Sequence, residues 1–81
     1  MMMSAKRTAP ETPKLRRFLR QAAVVDITGL SLSTIYDKMR DGTFPKQVKL
    51  FGANAKKSGV AWIEDEIVAW MNARIADRDA A

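Results

Sequence analysis

The chain has 81 residues, with 14 lysines and arginines against nine aspartates and glutamates, a net charge of +5, and neither cysteine nor histidine. It is near the size at which a single hydrophobic core is only just sufficient. That composition excludes a disulfide framework, a conventional zinc site and cysteine or imidazole catalysis. No serine has a recognisable base, so neither enzymatic activity nor a cofactor is expected. No apolar run approaches the roughly 20 residues that span a bilayer, and Met1 to Pro13 lacks the apolar centre of a signal peptide, so a cytoplasmic protein without a membrane partner is expected.

Met1 to Pro13 is polar, holds two prolines and shows no periodicity, and the spacing predicts a disordered basic arm over residues 1–17. Within Lys14 to Arg20 a short strand is expected near Phe18 and Leu19. A first helix is predicted over about Gln21 to Thr28, closed by Gly29, which can adopt the positive φ of a helix stop. Ser31 then has the hydroxyl of an N-cap for a second helix over about Leu32 to Asp41, ended by Gly42. Val24, Ile27, Leu30, Ile35 and Met39 fall on one side at helical spacing and are expected in the core. Ser33, Thr34, Tyr36, Asp37, Lys38 and Arg40 are left for solvent or a ligand. Two short helices joined through a glycine-containing turn form a helix-turn-helix, whose second helix in the DNA-binding version lies in the major groove.

Pro45 forbids helix after Thr43-Phe44. From Lys46 to Phe51, Val48 and Leu50 alternate with Lys49, the pattern of a half-buried strand. Gly52 to Gly59 is expected as a flexible loop, and Val60 to Trp62 as the returning strand of a hairpin. Its tip carries Asn54, Lys56, Lys57 and Ser58, groups that bind phosphates. A last helix is predicted from near Glu64, with Ile63, Ile67, Trp70, Met71 and Ile75 on one face. Glu64, Asp65 and Glu66 crowd its first turn, where the helix dipole favours anions. Trp62 and Trp70 are expected to anchor the core. The fold class is mainly α with a small β-hairpin: a winged helix-turn-helix of three helices plus a wing over residues 18–77, followed by a tail over 78–81.

Charge is placed unevenly. Residues 1–20 hold six cations against Glu11, and residues 38–57 hold six against Asp41, whereas residues 58–81 hold two cations against five acids. Such polarity orients a protein on a polyanion.

The string TGLSLSTIYDKMRDGTFPKQVKL, followed after the loop by VAWIEDEIVAWMNAR, resembles the AlpA-type prophage regulators, relatives of phage excisionases and, more distantly, of MerR-type winged helix-turn-helix domains. The similarity extends from about Phe18 to Arg74. It implies sequence-specific binding of double-stranded DNA, with regulation of genes or of excision in a mobile element, and hence a nucleoid-associated location. By position it implies Ser31, Ser33, Thr34 and Tyr36 near DNA from the recognition helix, Lys38 and Arg40 on the backbone, and Lys56 and Lys57 on the wing. The sequence departs from the family at Leu32 and Asp37, where relatives often carry arginine, and in a longer wing loop. Asp37 would repel phosphates unless it accepts from cytosine N4 or pairs with a neighbouring cation. Affinity is therefore expected to lean on the wing and on the basic N-terminal flank, with Arg16, Arg17 and Arg20 among the DNA-binding residues. The expected function is a phage-type transcriptional regulator, with double-stranded DNA as partner and an integrase or another copy of the chain on adjacent sites as possible company. Two alternatives are an excisionase-like factor bending attachment-site DNA beside an integrase, and a protein-interaction module using Leu32 and Tyr36 as an apolar patch.

Overall fold

The computed structural model describes residues 15–80, so most of the expected basic arm lies outside the described residues. The elements in chain order are β1 (Phe18–Leu19), α1 (Gln21–Thr28), α2 (Leu32–Asp41), β2 (Val48–Lys49), β3 (Val60–Ile63) and α3 (Glu64–Ala80). The last helix therefore runs on through residues 78–80, where a separate tail was expected.

Local chemistry explains the helix limits. Gly29 takes φ 74°, and its N–H donates to the Val25 carbonyl. The Thr28 hydroxyl donates to the Val24 carbonyl at 2.7 Å and accepts from the Leu30 N–H at 3.2 Å, which pins the turn between the helices. Ser31 caps α2 by accepting from the Thr34 N–H, and Gly42 closes it at φ 79°.

The expected hairpin is present but belongs to a three-stranded antiparallel sheet in the order β1-β3-β2. β1 pairs with β3 in the register Phe18↔Ile63 and Leu19↔Trp62. Directly opposed residues share a face, so Leu19 and Trp62 point inward together while Phe18 stays exposed. On the other side Val48 pairs with Ala61 and Lys49 with Val60. β2 is shorter than the predicted strand, although the Leu50 N–H still donates to the Gly59 carbonyl at 2.9 Å.

The core comprises Leu19, Val24, Ile35, Phe44, Trp62 and Ile67, with Leu30, Met39, Trp70 and Met71 packed against it. Both tryptophans grip the turn after α2. Trp62 Nε1 donates to the Pro45 carbonyl at 3.0 Å, and Trp70 Nε1 donates to the Thr43 carbonyl at 2.7 Å. Phe44 sits between those carbonyls, buried, with its ring edge-on to Trp70 at 4.9 Å. Proline at 45 ends the helical path, and the indoles occupy the carbonyls that the turn would otherwise leave orphaned.

Two apolar positions depart from the expected core. Ile27 is 45% exposed, because α1 spans about two turns and presents Ala23, Val24 and Val25 to the core, with Val24 its fully buried residue. Ile75 is 48% exposed, because α3 outruns the body of the domain and is exposed from Asn72 onward. Among the described residues no helix is long and apolar enough to cross a membrane.

Candidate nucleic-acid interface

The outer face of α2 is the complement of its single fully buried residue, Ile35. Leu32, Ser33, Asp37 and Arg40 are exposed, while Thr34, Tyr36 and Lys38 are half-buried. Ser33, Asp37 and Arg40 recur at i, i+4 and i+7 and so share one stripe. Ser31 donates its hydroxyl proton to Thr34 Oγ1 at 2.9 Å while accepting the Thr34 N–H at 3.2 Å. Thr34 keeps its own hydroxyl proton available for donation. Asp37 pairs with Arg40 one turn on, and both side chains are mostly solvent-exposed. Of the two fates open to Asp37, pairing with a cation is the one in the free protein. An exposed pair of this kind contributes about 0–1 kcal/mol, so either partner can be drawn to another ligand.

Tyr36 differs from the expected solvent-facing group. Its hydroxyl accepts from Gln21 Nε2 at 2.9 Å and donates to Gln47 Oε1 at 3.0 Å. The ring lies edge-on to buried Trp62, with centroids 6.4 Å apart. Leu32 is exposed whereas Tyr36 is half-buried with its hydroxyl bonded on both sides, so the two do not make the one open apolar patch that was expected. Neither Gln21 nor Gln47 stood out in the sequence: they lie 15 and 11 residues from Tyr36, and no local spacing signals their meeting.

α2 and the chain leading into the wing line a common shallow groove, with Tyr36, Met39 and Arg40 on one wall and Lys46 and Gln47 on the other. A second cleft of about 510 Å³, also lined by Tyr36, lies between Arg20, Gln21 and Ala22 and the wing residues Ser58, Gly59 and Val60. Arg20 Nε donates across the foot of this cleft to the Val60 carbonyl at 3.1 Å.

The wing loop, expected to be flexible, is closed at its neck. The Phe51 ring packs on Gly59 so tightly that a Cβ there would lie 2.6 Å from Phe51 Cε2. The Lys57 ammonium sits 5.1 Å from the centre of the same ring. Lys56 is exposed and makes no ion pair among the described residues.

Arg16 and Arg17 are engaged elsewhere. Arg17 Nε lies 3.6 Å from Glu64 and Arg16 Nε 4.0 Å from Asp65, while the Arg17 carbonyl accepts from the Glu64 N–H at 2.8 Å. The acidic first turn of α3 therefore serves two ends, complementing the helix dipole and holding the incoming chain. Among the described residues, the cations outside ion pairs are Arg20, Lys38, Lys46, Lys49, Lys56 and Lys57, while Arg40 is held by Asp37 alone. Hydroxyls, a guanidinium and ammonium groups along one helix and its neighbouring hairpin are donors suited to phosphate oxygens and base edges.

Residues 17–75 match the family described as prophage CP4-57 regulatory protein (AlpA). The chain is 44% identical over 84 residues to the ORF88 protein of Enterobacteria phage P4, covering 95% of this chain and 90% of that one. It is 39% identical over 64 residues to the DNA-binding transcriptional activator AlpA of Escherichia coli (strain K12), covering 72% of this chain and 84% of that one. No solved structure gives a significant match.

Proposed function

Because the chain belongs to the AlpA family of prophage regulatory proteins, we propose that it binds double-stranded DNA sequence-specifically and thereby regulates transcription of phage or prophage genes. The observation that carries this reading is the shared groove between α2 and the wing stem, which brings Arg40 and Lys46 onto one surface. In this reading α2 enters the major groove with Ser33 and Thr34 leading, and the Asp37–Arg40 pair opens to meet base edges. Arginine matches guanine O6 and N7 bidentately, and a carboxylate accepts from cytosine N4. Lys38, Lys56 and Lys57 neutralise phosphates, with Ser31 at the start of the helix and Arg20 beside the cleft. Arg16 and Arg17 contribute only after leaving Asp65 and Glu64, which exposed pairs do at small cost.

The test is a footprint on the DNA flanking the protein's own gene, followed by affinity for the protected duplex at several salt concentrations. The expected result is a discrete protected site whose log K falls linearly with log[salt], with a slope of about 0.9 per phosphate neutralised. Equal affinity for protected and scrambled duplexes overturns sequence specificity, and absence of salt-dependent binding overturns the DNA reading itself.

A further inference from the structure

We propose that Tyr36 is a positioning residue whose hydroxyl, relayed between Gln21 and Gln47, sets the geometry of the wing relative to α2, so that both can engage one duplex together; this rests on the DNA-binding reading above. The hydroxyl joins three separate parts of the chain: the first residue of α1, the middle of α2 and the approach to β2. Its donor and its acceptor are both used, in a single direction from Gln21 through Tyr36 to Gln47. The ring is held edge-on to Trp62, which is fully buried and itself bonded to the Pro45 carbonyl. A phenol held this way forms a fixed post between two grooves, since Tyr36 lines both the cleft toward Ser58–Val60 and the groove toward Lys46.

The relay matters because it reaches the approach to β2 directly from α2. β3 is packed by α1 and α3, and α2 meets it through the Tyr36 ring on Trp62. Ile35 is the fully buried anchor of α2, with Met39 packed against the core beside it; the Tyr36 hydroxyl adds a polar tie to the start of α1 and to the approach to β2. Two linked binding elements act together only when their separation matches the ligand, and pre-organising them avoids the ordering cost on binding. Loosening the tie should therefore remove the wing's share of affinity while the wing's lysines remain in place.

Tyr36→Phe deletes both hydrogen bonds and keeps the ring on Trp62. Gln47→Ala cuts one end of the relay and leaves Tyr36 intact, so it carries the test if the first variant folds poorly. Affinity of full-length protein for the footprinted duplex is measured across salt for wild type, Tyr36→Phe, Gln47→Ala, the pair Lys56→Gln/Lys57→Gln, and that pair in each relay background. The expected result is about tenfold weaker binding by each relay variant, with a salt slope reduced toward that of the lysine pair, a loss of up to about 1.8. In a relay background the lysine changes should then weaken binding by less than about twofold, against a much larger loss in wild type. A merely stabilising role for Tyr36 would lower the melting temperature without this interdependence. Full additivity of relay and wing changes, with a wild-type slope, overturns the proposal. So does altered base preference with an unchanged slope, which makes Tyr36 a base reader. If wild type itself shows no salt-dependent duplex binding, the DNA reading fails and takes this inference with it; wild-type binding with additive variants removes the inference alone.

Discussion

Replacing Trp62 by phenylalanine is expected to lower stability by about 2 kcal/mol while leaving a folded protein. Trp62 is fully buried at the centre of the core, with Nε1 donating to the Pro45 carbonyl at 3.0 Å. Phenylalanine is smaller by about 40 Å³, and at roughly 24 cal/mol per Å³ of unrelaxed cavity the loss is about 1 kcal/mol. The Pro45 carbonyl also loses its donor; it is half-buried, so water relieves part of the penalty and the cost falls at the low end, about 1 kcal/mol. For a domain of 60–100 residues each kcal/mol moves Tm by about 4–8 °C, so the variant should melt about 8–16 °C below wild type. Far-UV circular dichroism gives Tm, and urea titration checks that the m-value is unchanged. Incorporation of the benzothiophene analogue of tryptophan at position 62 alone, with Trp70 kept as tryptophan, preserves the volume and removes the N–H; it isolates the hydrogen bond and should give about half the loss. A fall below about 4 °C for Trp62→Phe, or an analogue that melts with wild type, refutes the assignment of Trp62 as the clamp on the turn.

Four further outcomes are expected from the geometry. Ser31→Ala removes the acceptor for the Thr34 N–H and should cost about 1 kcal/mol, read as a lower urea midpoint at constant m. Val24→Ala, at a fully buried site, should cost about 2 kcal/mol, whereas Ile27→Ala should stay within about 1 kcal/mol; equal losses would return Ile27 to the core. Gly59→Ala should push the Phe51 ring off the wing neck, speeding tryptic cleavage after Lys56 and Lys57 with little change in Tm, and an unaltered cleavage rate would mean that the ring does not close the loop. Lys56→Gln/Lys57→Gln should leave Tm within about 2 °C of wild type, because exposed lysines contribute little to stability, and a collapse of the fold would make the loop structural.

Much of the fold was legible along the chain because its determinants act over a few residues. Gly29 and Gly42 adopt positive φ where the helices stop, and Ser31 caps α2 from the position its hydroxyl suggested. Glu64, Asp65 and Glu66 mark the start of α3, and the alternation of Val48, Lys49 and Leu50 marks the outgoing strand of the wing. Steric and hydrogen-bonding preferences of this kind are settled within one turn of helix or one hairpin, whatever lies across the core. The motif string carried family membership for the same reason, since it is a spacing of turn, cap and apolar residues.

What the chain order concealed are meetings between distant residues. Phe18 aligns with Ile63, Arg17 with Glu64, and Trp70 with the carbonyl of Thr43. Apolar periodicity marked Ile27 and Ile75 as core, because a period records which side of a helix is apolar and not how far the body of the domain extends beneath it. Tyr36 carried the same ambiguity. A tyrosine early in such a helix has the chemistry to read a base, and its hydroxyl is engaged within the protein only because α1 brings Gln21, and the chain after Pro45 brings Gln47, to within 3.0 Å of it. Hydrogen-bonding capacity is a property of the residue type, but the partner that satisfies it depends on which elements pack beside it, and that is set by burial of the shared core around Trp62 and Ile35.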